Sequence, residues 1–391
     1  MSKKLKILYH HRVAAQDGQS VHIQELTKSF SDLGHELVFI GPSLQPKEFG
    51  EQNKLLAMVR RALPSFAQEA LELLYDLYAY RKLLAAYKEH QPDILYERHN
   101  LFLSAGRKLK KKTGIPYLLE VNAPLTEERS AHSGLKLVSI ARAIEIRTWC
   151  AADKIFPVSD ELANNLRSVG VQEDTIKVLH NGINHQDYET VDPNKVRDNF
   201  GLKNKLVLGF TGFVREWHRL DNIISLIAEF NETDSPHLLI VGDGPAIEAC
   251  KAQAVDLGVE NRVHFAGFVG RAQIPEYLAA MDIALQPAVT SYASPLKIFE
   301  YMRSSLAIIA PDQPNIREIL TDGEDALLFS PDDEYSSAEK IRKLVKEPTL
   351  RKKLGRAARS SIDTNGFTWR QNAIKIIEIA SDVIQERNSL T

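Results

Sequence analysis

One pattern constrains this chain more than any other. Short, continuously apolar runs alternate with longer amphipathic stretches, and the alternation occurs twice. The first series holds Lys6 to Tyr9, Glu36 to Ile40, Asp93 to Tyr96, Pro116 to Val121 and Lys154 to Val158. The second restarts at Leu206 to Phe210 and continues through Leu238 to Val241 and Arg262 to Gly267. Ile283 to Gln286, Ala307 to Ala310 and Ala326 to Phe329 complete it. A run without polar alternation reads as a strand covered on both faces, and strands separated by helices lie parallel. At 391 residues, the chain is too long for one ordinary core. The expectation is α/β, with two doubly wound Rossmann-like domains.

Domain limits follow from the punctuation. The first domain spans 1–185, the polar stretch Asn184 to Asn204 serves as linker, and the second domain spans 205–365. In the first domain Ser20 is placed to cap a helix from Val21 to Leu33, and another helix is expected from about Leu135 to Ala151. A final helix from about 370–391 carries Ala373, Ile376, Ile377, Ala380 and Ile384 on one face and needs a core to cover.

Bulk properties narrow the function classes. Net charge is −2, which gives no global attraction to nucleic acid, although the first half is basic and the second acidic. Cys150 and Cys250 lie far apart, without metal spacing, and read as small buried apolar residues. No stretch reaches the length of a membrane span and no signal-type segment opens the chain, so a cytoplasmic setting is expected. One region reads first as helix packed on its own domain with a solvated basic end, and alternatively as a peripheral contact with a membrane or a lipid-linked acceptor. From Leu55 to Lys88, Leu71, Leu74, Leu77 and Tyr78 accompany Lys54, Arg60, Arg61, Arg81 and Lys82, and Arg107 to Lys112 adds further charge.

The candidate site centres on Thr290 to Ala310. The strand ending at Pro287 is followed by a small-residue loop and a helix whose first turn is expected to begin at Pro295. Unpaired N–H groups and the helix dipole favour an anion at such a terminus. Lys297 adds positive charge, and Glu300 is placed to accept the two hydroxyls of a ribose. Other strand ends supply Gly212, the turn Gly242-Asp243-Gly244-Pro245, and the clusters Glu97-Arg98-His99 and Glu120-Val121-Asn122. Ligands of open α/β sheets bind beyond such carboxyl ends. Singly, each also reads as a cap, a tight turn or a surface charge. Gly18 alone is a weak phosphate signal, because no full GxGxxG surrounds it.

Together these segments resemble family-4 retaining glycosyltransferases of the GT-B fold, within a branch of bacterial polysaccharide biosynthesis. The likeness spans nearly the whole chain and is most specific from Ile240 to Pro245, Val263 to Val269, Tyr277 to Asp282 and Lys297 to Pro331. In the first half, His22 to Leu26, Gly34 to Leu37 and Val178 to Ile183 contribute to it. The resemblance implies two facing Rossmann-like domains around an interdomain cleft. The first would bind a glycan or lipid-linked acceptor, the second a nucleotide-sugar donor, and the last helix would cross back to the first domain. It places Gly18, Gly212, Arg215, His218, Gly242, Gly244, Phe268 and Val269 at the donor. Tyr292, Ser294, Pro295, Leu296, Lys297 and Glu300 join them there. Glu120, Asn122, Arg215 and Lys297 are the implied catalytic residues, and Glu97, Arg98 and His99 the acceptor group.

The sequence departs from the family pattern at defined positions. Tyr292 stands where a glutamate touches the donor sugar, whereas Glu300 keeps the ribose carboxylate. Phe213 and His218 replace an arginine and a lysine, leaving Arg215, His218 and Lys297 as substitutes for the diphosphate, with Arg215 and Lys297 preferred because they stay charged at neutral pH. Asn122 falls near a usual histidine, and Gly18 is what remains of a glycine pair. The implied reaction transfers a sugar with retention and requires neither cofactor nor metal. UDP-sugars are the first expectation and GDP-sugars the next. The competing readings are a GT-B nucleotide-sugar epimerase and a non-catalytic nucleotide-sugar-binding partner. A NAD-dependent dehydrogenase is disfavoured by the absent glycine fingerprint.

Overall fold

The structure, a computed structural model, describes residues 4–13, 18–42, 64–132, 134–189, 191–231, 235–333 and 335–390. Asp17, Lys54, Arg60, Arg61 and the start of the expected helix at Leu55 lie outside these residues. The chain divides into two compact units: Met1–His180 with Trp369–Thr391, and Asn181–Thr368.

The first unit is built on β1 (Lys6–His10), β2 (Glu36–Ile40), β3 (Ile94–Arg98), β4 (Tyr117–Val121) and β5 (Lys154–Pro157). They form a parallel sheet in the order β2-β1-β3-β4-β5. Leu8, Leu95, Leu118 and Ile155 are fully enclosed, as continuous apolar strands between helical layers should be. Helix Trp369–Leu390 packs on helix Gly18–Asp32 of this unit, burying Trp369, Ala373, Ile376, Ile377 and Ala380. Its polar ties are Asn372 Nδ2 donating to the His180 carbonyl at 2.7 Å and Arg387 pairing with Asp153 at 2.7 Å.

The second unit holds β6 (Val207–Thr211), β7 (His237–Val241), β8 (Val263–Gly267), β9 (Ile283–Leu285), β10 (Ala307–Pro311) and β11 (Ala326–Phe329). Their order is β11-β10-β9-β6-β7-β8, again all parallel. Each sheet reverses its winding once, between β1 and β3 in the first and between β6 and β9 in the second. These switch points are where open α/β sheets leave a crevice.

Four local expectations need correction. The stretch Asn184 to Asn204 is not a bare linker: it contains helix Asn194–Asn199, and Tyr188, Val196 and Leu202 are buried in the core of the second unit. Three apolar anchors in a polar stretch suffice to dock it. Helix Gly18–Asp32 starts before Ser20, which is a buried residue of its first turn rather than its cap. Pro295 is the extended residue preceding helix Leu296–Arg303, with ψ 120°, rather than its first helical residue. Cys150 is exposed, whereas Cys250 is buried. Cys150 follows the end of helix Val138–Trp149, where its side chain faces outward while Trp149 takes the core position.

Candidate active site

The clearest site in the second unit lies at its switch point, where β6 and β9 diverge. Tyr301, one turn into helix Leu296–Arg303, spans that divergence. Its phenol accepts from the Thr211 amide at 3.0 Å and the Thr211 hydroxyl at 3.2 Å, and donates to the Leu285 carbonyl at 3.3 Å. One buried side chain thus fixes this helix to both strand ends. Nothing in the sequence separates Tyr301 from an ordinary core aromatic.

Glycines shape the floor. Gly212, Gly242 and Gly244 take φ of 128°, 135° and 159°, which side-chain-bearing residues rarely adopt. A Cβ on Gly242 would lie 2.0 Å from the Gly212 carbonyl oxygen, and one on Gly244 would lie 2.1 Å from that of Val214. Backbone bonds seal the approach: Gly212 donates to Val241 at 2.9 Å and Val214 to Asp243 at 2.9 Å. The Gly-Asp-Gly-Pro turn therefore packs backbone against backbone with the loop after β6.

Lys297 reaches over this floor. Its ammonium lies 4.0 Å from the Phe210 ring centre, and a Cβ on Gly212 would approach it to 3.0 Å. Burial pulls its pKa down to about 7, opposed in part by Glu300. Burial pushes the Glu300 carboxyl up, while Arg271 at 3.5 Å, Lys297 and a hydrogen bond from Tyr188 pull it back. Tyr188 and Arg271 were not legible as site residues, since one lies in the apparent linker and the other in a surface turn.

The loop ahead of the helix is held from two sides. Asn181 donates through its amide N–H to Ser294 Oγ at 3.1 Å and through Nδ2 to the Ser294 carbonyl at 2.5 Å. Asn315 Nδ2 donates to the carbonyls of Thr290 and Ala293 at 3.1 and 2.7 Å. Tyr292 and Leu296 are partly exposed beside it. After β6, Arg215 is exposed with its guanidinium 5.1 Å from the Phe213 ring centre. His218 is a neutral acceptor: its Nδ1 takes the Arg215 amide at 3.1 Å, and burial, aided by Lys297 and Arg215, lowers its pKa to about 3. Phe268 is 80% exposed after β8, and Val269 packs on the core.

In the first unit, the sheet divides the expected residues between its two faces. Glu97 pairs in register with His10, and Glu120 with Arg98, so adjacent positions Glu97 and Arg98 point to opposite sides. On one side Glu97 contacts His10 Nδ1 at 2.6 Å and receives the Tyr117 hydroxyl at 2.5 Å and the Gly106 amide at 3.1 Å. On the other, Glu120 meets His22 at 3.0 Å, the Tyr96 hydroxyl at 3.0 Å, Asn122 Nδ2 at 2.6 Å, and Arg98. Burial pushes the Glu120 carboxyl up, but His22, Arg98 and Asn122 together hold it far below the usual carboxylate range. A cavity on that side is lined by His22, Tyr96, Glu120, Trp369 and Asn372. His99 pairs instead with Glu145 at 3.3 Å. Gly18 begins its helix as an exposed residue. The two strand-end carboxylates thus do not converge, and the expected acceptor group is split. Among the described residues, no group of three or more His, Cys, Asp or Glu is arranged to hold a metal ion.

Comparison with known proteins agrees with this geometry. Residues 16–187 match the family model described as Glycosyltransferase Family 4, and residues 192–361 that described as Glycosyl transferases group 1. An uncharacterized glycosyltransferase of Methanocaldococcus jannaschii is 22% identical over 94% of this chain and 96% of its own length. The N-acetyl-alpha-D-glucosaminyl L-malate synthase of Bacillus anthracis is 24% identical over 54% of this chain and 55% of its own. Among solved structures, Anabaena HepE in complex with UDP superposes with a TM-score of 0.72 at 19% identity, covering 97% of this chain and all of HepE.

Proposed function

We infer that this chain, a glycosyltransferase of the GT-B fold, moves a sugar from a nucleotide-sugar to a glycan or lipid-linked acceptor with retention of anomeric configuration. A UDP-sugar is the first assignment and a GDP-sugar the second, with a role in bacterial surface polysaccharide synthesis on the cytoplasmic side. The observation that carries the reading is the cradle at the β6–β9 switch point. A glycine floor, an enclosed ammonium and a carboxylate one helical turn away stand together there. That is the donor set a ribose diphosphate needs. The solved HepE complexes with UDP and with UDP-glucose support the uridine assignment.

In this reading Glu300 accepts the ribose hydroxyls. Lys297, Arg215 and the start of helix Leu296–Arg303 neutralise charge as the diphosphate leaves, so stabilisation is aimed where negative charge develops. His218 stays neutral and orients the Arg215 backbone. Phe268 and Val269 flank the base, and Tyr292 faces the sugar side. Glu120, with Asn122, is held ionised and is assigned to orienting an acceptor hydroxyl. Glu97, satisfied on the opposite face, is assigned to holding β1, β3 and β4 together. Incubation with a panel of UDP- and GDP-sugars, measuring nucleoside diphosphate release with and without acceptor, tests the proposal. Acceptor-dependent release from a UDP-sugar is expected. Conversion of the sugar without transfer, or binding without release, would overturn it.

A further inference from the structure

The loop after β6 presents two large aromatic side chains that the core does not use. Phe213 is 56% exposed and Trp217 is 46% exposed, one on each side of Arg215 in the sequence. Their backbone is pinned at both ends. The Val214 amide donates to the Asp243 carbonyl at 2.9 Å, and the Val214 carbonyl takes the Ala246 amide at 3.4 Å. Further along, the His218 amide donates to the Arg215 carbonyl at 3.0 Å, while His218 Nδ1 accepts the Arg215 amide at 3.1 Å.

Trp217 is also backed from within. Its ring centre lies 3.9 Å from that of the buried His218, which in turn lies 5.0 Å from that of Phe210. Phe210 carries the Lys297 ammonium on its face. A row of rings thus runs from the enclosed ammonium of the cradle out to an exposed indole. Such a surface is rigid before any ligand arrives, which limits the entropy lost on binding.

We propose that Phe213 and Trp217 form a stacking platform for the sugar ring of the acceptor, so that the second unit binds acceptor as well as donor. The assignment rests on the retaining transfer inferred above. Retention means that the acceptor oxygen takes the position on the anomeric carbon that the diphosphate oxygen leaves. The acceptor therefore approaches beside the departing diphosphate, and Arg215, assigned to that diphosphate, stands between the two rings in the sequence. The surroundings also select a sugar. Arg215, Glu216 and Arg219 are exposed around the rings, and a protein partner would have to bury those charges. A pyranose instead offers an apolar C–H face to the rings and a hydroxyl rim to Arg215 and Glu216.

Tryptophan fluorescence of the full chain tests this. Of its three tryptophans, Trp149 and Trp369 are 1% exposed, so quenching by acrylamide reports Trp217. Methyl glycosides of glucose, galactose, mannose and N-acetylglucosamine are added to the UDP-saturated protein, with glycerol as the ringless control. At least one glycoside is expected to protect Trp217 from quenching, and glycerol is expected to give no protection. With that glycoside as acceptor, Trp217→Leu should raise its KM about tenfold and leave kcat and UDP affinity at parent values. Leucine still covers His218 but lacks the flat face, and Trp217→Phe should bring KM back to within about threefold. Full protection by UDP alone would assign the platform to the nucleotide and overturn the proposal. So would the absence of protection by every glycoside, or an unchanged KM in Trp217→Leu. Glycoside protection without turnover of any nucleotide-sugar would remove the retaining-transfer reading and keep the sugar platform.

Discussion

The ammonium of Lys297 sits 4.0 Å from the centre of the Phe210 ring, close enough for the aromatic face to hold it where hydration is poor. Its pKa of about 7 in the free protein makes it the group most sensitive to a bound anion. A diphosphate requires the protonated form, so binding takes up a proton wherever the free protein has lost it. Above about pH 8, where the terminal phosphate of UDP is fully ionised, UDP affinity should fall toward tenfold per pH unit. Titration calorimetry across pH checks this. Lys297→Met should remove the dependence and lower kcat by about 10²–10³-fold.

Glu300 owes its usable charge to its neighbours. Burial raises its pKa, and Arg271, Lys297 and the Tyr188 hydrogen bond counter that. Glu300→Ala should cost the ribose contact outright; unchanged UDP affinity would remove the assignment. Tyr188→Phe should weaken UDP by about tenfold, the worth of one hydrogen bond to a charged group. With a uridine diphosphate lacking both ribose hydroxyls, the Tyr188 penalty should vanish. A penalty that persists would mean Tyr188 acts only through packing.

Gly242 and Gly258 both have positive φ, yet only Gly242 has a backbone atom in the path of a Cβ. Gly242→Ala should therefore destabilise by about 1–3 kcal/mol and also weaken UDP binding. Gly258→Ala should cost about 1 kcal/mol and leave UDP affinity unchanged. Chemical denaturation and calorimetry on the two variants separate strain from site damage.

Acid should loosen the second unit through His237. Burial, then the facing His264 at 3.0 Å, lowers its pKa to about 4. Because the folded value is depressed, the unfolded chain binds the proton first. This histidine's contribution is intact above pH 6.5 and is lost as pH falls from 6.5 toward 4. His237→Gln should flatten the pH dependence of the denaturation midpoint in that window.

The strands were legible because parallel strands read as unbroken apolar runs, and their order follows a small set of winding rules. Lys297 and Glu300 were legible because a strand, a small-residue loop and a helix start are local signals. The rest depends on tertiary pairing. Tyr188 resembled linker because three buried anchors among the 21 polar-rich positions from Asn184 to Asn204 leave no periodic pattern. The separation of Glu97 from Glu120 depends on register, which the sequence of a single strand does not specify. Phe66 to Lys82 announced a basic amphipathic helix, but which face it turned outward depended on Glu69, Glu72 and Asp76 finding partners inside.

Tyr301 has one hydroxyl hydrogen and two lone pairs, and Leu285 and both donors of Thr211 use all three. The oxygen is therefore saturated before any nucleotide arrives. It lends the crevice shape and rigidity but no chemical preference, so discrimination between ligands must come from the groups around its rim.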